Sequence, residues 1–179
     1  GLAGNVGKSF AWQVAECDFD YYVIELSSFQ LDGMYDFKAN VSVILNITPD
    51  HLDRYDYKFQ NYINSKFRIL QNQTPEDAFI FWNDDPVLKA EIEKRNIKAQ
   101  LLPFALGKTE RTKAYVEEQN LTIESTEATH DNDMVMALEE LSLRGTHNVY
   151  NSMVAGLAAQ LVHIRKETIR KSLAEFQGV

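Results

Sequence analysis

Val41-Ser42-Val43-Ile44-Leu45-Asn46-Ile47-Thr48-Pro49-Asp50-His51 passes from a nearly continuous apolar run into a proline and then a polar loop. A short run of this kind, bounded by turn residues, reads as a strand that is apolar on both faces. Such strands mark a parallel sheet covered by helices on either side.

The same pattern extends in both directions. Residues 21–26 are β-branched and aromatic between Asp18 and Ser27-Ser28, and read as an earlier strand. Before them a glycine-rich turn, Gly4-Asn5-Val6-Gly7, leads into a short helix over 9–15, with Ser9 suited to cap it. Downstream, the spacing predicts a helix over 59–70, a strand over 78–82, a helix over 86–95 opened by Asp85, and a strand over 99–104. Residues 112–143 carry short alternating pieces between polar turns and read as small antiparallel strands at a sheet edge. Two helices close the chain, over 148–162 and 166–176. The expected class is α/β, a mainly parallel sheet flanked by helices with a small antiparallel edge portion.

With 179 residues, 45% of them hydrophobic, the chain can bury one real core. No apolar run approaches the roughly 20 residues of a membrane helix. Cys17 is the one cysteine and cannot form an internal disulfide, which fits a reducing, cytoplasmic setting. The net charge of −8 argues against a nucleic-acid platform, which needs surplus Lys and Arg. An acidic protein can still hold a nucleotide where a metal ion supplies positive charge.

Ligands of open α/β sheets gather beyond the carboxyl ends of the strands. Three polar segments fall at such places: 25–30, 46–55 and the start of the helix at Asn148. Glu25 ends an apolar strand and is either a salt-bridged strand-end acid or a ligand for Mg²⁺, which prefers carboxylates and water. Asp50-His51-Leu52-Asp53-Arg54-Tyr55 is either an ordinary turn or a loop holding a metal or phosphate. Lys66 interrupts the apolar helix stripe Phe59, Tyr62, Ile63, Phe67, Leu70. It either snorkels to water or keeps a desolvated amine whose neutral form is available for chemistry. Asn148 and Asn151, three apart on one helix face, suit either helix capping, with Thr146 as a second candidate cap, or the edge of a base. Cys17, His130, His147 and His163 carry no functional signal. Gly4-Asn5-Val6-Gly7-Lys8-Ser9 fails as a phosphate-binding P-loop, because the spacing requires glycine where Leu2 stands. Asn5 in that turn reads as a small-molecule contact or a residue at positive φ.

Five stretches together resemble the Mur ligase family, in the family's order and across nearly the whole chain. They are Ala3-Gly4-Asn5-Val6-Gly7; Val23-Ile24-Glu25-Leu26-Ser27-Ser28-Phe29-Gln30-Leu31; Ile44 through the Asp50-His51-Leu52-Asp53-Arg54-Tyr55 loop; residues 62–69; and Leu143-Arg144-Gly145-Thr146-His147-Asn148-Val149-Tyr150-Asn151. The Glu-Leu-Ser-Ser-Phe-Gln-Leu string is similar to the branch that adds D-glutamate to UDP-N-acetylmuramoyl-L-alanine. The resemblance implies an ATP-dependent amide-forming ligase of peptidoglycan-precursor synthesis working through an acyl phosphate. It also implies two Mg²⁺ sites: Glu25 near the ATP γ-phosphate, and His51 on a second ion placed by Lys66 as a CO₂-derived carbamate. Asp50 would stand behind these ligands. Asn5, Ser27 and Gln30 would contact the UDP substrate, and Asn148 and Asn151 the adenine. The expected assembly is a monomer, with no nucleic-acid or membrane partner.

The resemblance further implies that residues 1–179 are the greater part of a central ATP-binding domain. Its P-loop would lie upstream, with an amino-terminal UDP-binding domain and a carboxyl-terminal domain outside the chain, so the isolated chain is expected to be inactive. Two other readings are a sister ligase adding meso-diaminopimelate, lysine or folate-linked glutamate, and a non-catalytic nucleotide-binding module that kept the fold. The 27–31 string weighs against a sister ligase.

Overall fold

The structure, a computed structural model, describes residues 1–125 and 133–178. His130 and part of the predicted antiparallel stretch lie outside the described residues. The chain divides into two compact units, Gly1–Lys38 with Pro49–Asn72, and Ala39–Thr48 with Gln73–Val179.

The first unit opens with strand β1 (Leu2–Gly4), helix α1 (Phe10–Glu16) and strand β2 (Val23–Glu25). β1 and β2 form a two-stranded parallel sheet with Gly4 opposite Glu25. Ser9 caps α1 as its sequence suggests, its Oγ accepting from Trp12 N at 3.2 Å. A short helix not read from sequence follows, α2 (Ser28–Asp32). Helix α3 (Phe59–Phe67) then packs on α2, and its last turn tightens into a 3₁₀ turn over Arg68–Leu70. The stripe that the spacing predicts is the buried face: Tyr62, Ile63 and Phe67 are all buried.

The second unit holds six strands in the order β3-β4-β5-β6-β7-β8: β3 (Val41–Ile44), β4 (Ala78–Trp82), β5 (Gln100–Phe104), β6 (Ala114–Glu117), β7 (Asn120–Ile123) and β8 (Met134–Ala137). β3 through β6 pair in parallel, and β6, β7 and β8 pair antiparallel. The fold is thus mixed α/β with a mostly parallel sheet and an antiparallel edge. Helix α4 (Pro86–Lys94) starts where Asp85 accepts from Leu88 N at 2.8 Å. Helices α5 (Thr146–Leu161) and α6 (Lys166–Glu175) pack against the strands. The core gathers Ile80, Phe104, Leu121, Ile123, Met136, Met153 and Leu157, and each fully buried side chain of this size contributes about 1.5–3 kcal/mol.

Two turns differ from the usual sequence signals. Glu118 and Gln119 join β6 to β7 with φ of 50° and 63°, a two-residue hairpin turn without its customary Asn-Gly. Gly145, rather than Thr146 or Asn148, is the N-cap residue of α5. Among the described residues no helix is long and apolar enough to cross a membrane.

Gly156 on α5 meets β7 closely, since a Cβ there would lie 2.1 Å from Ile123 Cδ1. Gly156→Ala is therefore expected to destabilise the protein by about 1–3 kcal/mol in urea unfolding, despite the better helix propensity of alanine. Ile123→Val removes the clashing methyl, so the double variant should lose less than the two single losses added together. Strict additivity would show that the contact is not what limits this position.

Candidate functional site

Five of the side chains singled out in the sequence, Asn5, Glu25, His51, Asp50 and Lys66, stand in the first unit, as do Ser27 and Gln30. The turn after β1 lies against the end of β2. Asn5 N donates to Glu25 O at 2.8 Å, and Asn5 Nδ2 donates to Glu25 Oε1 at 3.0 Å. Gly4 makes this approach possible. It sits at φ +108°, and a Cβ on it would lie 2.1 Å from Glu25 O. Asn5 is thus a neighbour that orients the Glu25 carboxylate.

One residue beyond β2 the chain turns into α2 through a capping box. Ser27 Oγ accepts from Gln30 N at 3.3 Å, and Gln30 Oε1 accepts from Ser27 N at 2.9 Å and from Ser27 Oγ at 3.1 Å. The signal was present in the sequence as Ser-x-x-Gln, although a helix of five residues is too short for periodicity to show it. The cap engages Gln30 Oε1, so Gln30 has its Nε2 donors to offer a ligand.

The loop carrying Asp50 and His51 is held in an uncommon shape. His51 lies in the left-handed region at φ 51°, as do Asp56 and Tyr57 at 55°. Histidine tolerates this better than most residues, and such conformations persist only where surrounding structure fixes them. Asp50 supplies part of that restraint, its Oδ1 accepting from His51 N at 2.8 Å and its Oδ2 lying 3.5 Å from His51 Nε2. The His51 ring also meets Phe29 of α2, with centroids 5.2 Å apart.

Lys66 is half-buried on α3. Burial pushes its ammonium below the usual lysine range of 10.5, and the Asp50 and Glu25 carboxylates pull in the opposite direction without overcoming it. Of the two sequence readings, the partly desolvated amine describes this residue better than a side chain that reaches free solvent. Its Nζ also lies 5.6 Å from the Tyr62 ring centroid, and burial, then Asp50 and Tyr55, raises the Tyr62 hydroxyl above its usual 10.0. Asp50 and Glu25 therefore both act on one amine, which brings the β2 end, the loop and α3 into a single electrostatic group.

Among the described residues no three His, Cys, Asp or Glu side chains form a ready-made metal cage. That is compatible with Mg²⁺, which is commonly held by one or two carboxylates, with substrate phosphates and water completing its shell. The exposed Glu25 carboxylate is a donor of suitable kind and a carbamate on Lys66 would add hard oxygens, whereas the His51 imidazole offers a softer nitrogen.

Asn148 and Asn151 stand in the second unit, in the first turns of α5. Asn148 Nδ2 donates to Arg144 O at 2.8 Å, so this amide braces the turn into the helix. Its oxygen is the atom suited to accept from a base. Asn151 is exposed on the same helix.

A family model described as the Mur ligase middle domain matches residues 6–159. A UDP-N-acetylmuramoylalanine--D-glutamate ligase of Bacteroides fragilis is 61% identical over 179 residues, which cover 100% of this chain and 39% of that protein. The chain thus spans about two-fifths of the length of the curated relatives it matches. Among solved structures, MurF from Acinetobacter baumannii aligns with a TM-score of 0.62 at 21% identity, covering 88% of this chain and 35% of that one. A murein peptide ligase from Psychrobacter arcticus aligns with a TM-score of 0.64 at 15% identity, covering 99% and 46%. At these identities the two structures speak to the fold alone.

Gly4→Ala is expected to separate β1 from β2, because the new methyl meets backbone that cannot swing aside. Urea unfolding should show a loss of at least about 2 kcal/mol. Gly7→Ala is the control: Gly7 also has positive φ, but its nearest atom to a new Cβ is 3.5 Å away. It should lose only the left-handed penalty of about 1–2 kcal/mol. Equal losses would mean that the contact with Glu25 is not what demands glycine.

Proposed function

The chain belongs to the Mur ligase family, and we propose that the protein of which it forms part joins D-glutamate to UDP-N-acetylmuramoyl-L-alanine at the expense of ATP in the cytoplasm. One observation of the structure carries the chemistry. The Lys66 amine is held against its charge by burial while Glu25 and Asp50 bear on it. A neutral amine is what CO₂ requires, and the resulting carbamate beside two carboxylates calls for a cation to offset the repulsion. The 61% identity over all 179 residues, which cover 39% of a D-glutamate ligase, supports the choice of amino acid over the sister ligases.

In this reading Glu25 would hold one Mg²⁺ near the ATP γ-phosphate, and His51 a second that Lys66, as its carbamate, would help to place. Bound Mg²⁺ spreads the charge on the phosphoryl oxygens of ATP and the acyl substrate. Asn5 keeps the Glu25 carboxylate turned to its task, and Asp50 keeps His51 in its left-handed place. Ser27 and Gln30, at the start of α2, meet the UDP substrate, and Asn148 and Asn151 meet adenine. The alanyl carboxylate takes the γ-phosphoryl group and ADP leaves. The D-glutamate amine then attacks the carbonyl carbon, phosphate leaves, and the amine gives up a proton as the amide forms. Most of this catalysis is positioning and electrostatic stabilisation.

The full-length protein, given ATP, Mg²⁺ and UDP-N-acetylmuramoyl-L-alanine, should release phosphate with D-glutamate and remain near background with lysine, meso-diaminopimelate or L-glutamate. Turnover with lysine or diaminopimelate in preference to D-glutamate would establish a sister ligase, and no turnover with any of them a non-catalytic module. The 179-residue chain alone should stay at background.

The carbamate has its own test. With ¹³C-bicarbonate, the full-length protein should give a carbamate carbon signal that Lys66→Arg removes. Because burial lowers the Lys66 pKa, its neutral fraction at a given pH exceeds that of exposed lysines. The signal should therefore emerge at lower pH than carbamates on exposed lysines. A signal that survives Lys66→Arg would place the modification elsewhere.

A further inference from the structure

Tyr55 is the residue at which three segments of the first unit meet. It is 8% exposed and lies in the loop that carries His51. Its hydroxyl donates to Asp32 Oδ2, at the end of α2, at 2.8 Å. The same oxygen lies 3.1 Å from Ser65 Oγ on α3, and Ser65 Oγ donates to Ser28 O, in the first turn of α2, at 2.9 Å. Two hydroxyl hydrogens serve three contacts. The charged carboxylate is the stronger acceptor and takes the Tyr55 hydrogen, leaving the Ser65 hydrogen shared between Ser28 O and the Tyr55 oxygen.

The ring of Tyr55 makes a second set of connections. Phe29 stacks on it with centroids 6.0 Å apart and planes 8° from parallel, and that same Phe29 ring touches His51. On the other side Tyr62 meets Tyr55 edge-on at 5.5 Å, and the Lys66 amine lies over the Tyr62 ring. His51 and Lys66 are thus each one aromatic ring away from Tyr55, on different segments. Nothing in the chemistry assigned above uses Tyr55.

We propose that Tyr55 is a positioning residue for the cation-binding group, its hydroxyl joined to Asp32 and Ser65 so that the His51 loop and the Lys66 helix keep one fixed spacing. The inference rests on the reading of His51 and Lys66 as cation-holding residues. Tyr55 touches neither ligand nor reacting atom in it. Tyr55→Phe keeps both ring contacts and removes only the hydroxyl, leaving the loop and helix free to shift against α2. Residues that orient metal ligands from behind change metal affinity or activity by about 10–100-fold when altered.

The test uses the full-length protein with bicarbonate, with Mn²⁺ affinity read by electron paramagnetic resonance as a measure independent of turnover. Tyr55→Phe and Asp32→Ala are expected to weaken Mn²⁺ binding about 10–100-fold, whereas Asp32→Asn, which keeps an acceptor for the hydroxyl, should stay within about threefold of the unaltered protein. A merely structural role would lower the melting temperature of all three variants without this rescue pattern. Should Tyr55→Phe fail to fold, the Asp32 pair at the exposed helix end decides the matter. Mn²⁺ binding unchanged in Tyr55→Phe or Asp32→Ala, or absent from the unaltered protein, overturns the proposal. The ligation assay run beside it separates the two readings: Mn²⁺ binding that depends on Tyr55, with no D-glutamate ligation, defeats the proposed reaction and leaves the positioning role standing.

Discussion

A loop that takes three residues into the left-handed region has to be restrained, since each such residue costs on the order of 1–3 kcal/mol. Residues 50–58 meet that requirement with a buried aromatic side chain whose polar end is satisfied and whose faces are covered. The restraint falls in the loop that presents His51 beside Asp50. Strain in the backbone, burial of Tyr55 and the exposure of His51 are parts of one arrangement.

The electrostatics follow from the same placement. Lysine in the middle of an apolar helix face is unfavourable as an ammonium, and nearby carboxylates would ordinarily compensate by holding it charged. Here Glu25 and Asp50 act on Lys66 without reversing the effect of burial. The balance leaves an amine that is easier to discharge than its exposed counterparts. Neither half of this balance would suffice alone, because a fully buried amine would lack its partners and an exposed one would stay protonated.

Glycine and asparagine at the first turn serve this arrangement from the other side. Gly4 lets the turn backbone approach the Glu25 carbonyl, and Asn5 fixes both the carbonyl and the carboxylate of that residue. The failed P-loop spacing at Leu2 fits this picture, since the turn packs against a neighbouring strand end. In the second unit, Asn148 likewise spends its amide on the chain that precedes its helix. A side chain that resembles a ligand contact in sequence is also part of the local scaffold.

Much of this was legible in the sequence. Apolar strands read near 41–47, 78–82 and 99–104 from composition and length form over Val41–Ile44, Ala78–Trp82 and Gln100–Phe104. The antiparallel edge follows from alternation, and the 59–67 helix with its odd lysine from the 3.6-residue period, because these patterns record which faces lose water. The capping box at Ser27 was readable in principle, but five residues make too little of a period for a helix to stand out. The division into two sheets was not readable, since pairing partners are chosen across long stretches of chain and leave no local mark. The Glu118-Gln119 turn and the positive φ of His51 were also hidden, because tertiary packing can hold ordinary residues where propensity would not put them. The sequence determined which side chains were available, and the Mur ligase resemblance implied roles for them. Only the tertiary structure decided that Tyr55, Asp32 and Ser65 meet and that burial prevails at Lys66, because hydrogen-bond partners and desolvation depend on neighbours distant in the chain.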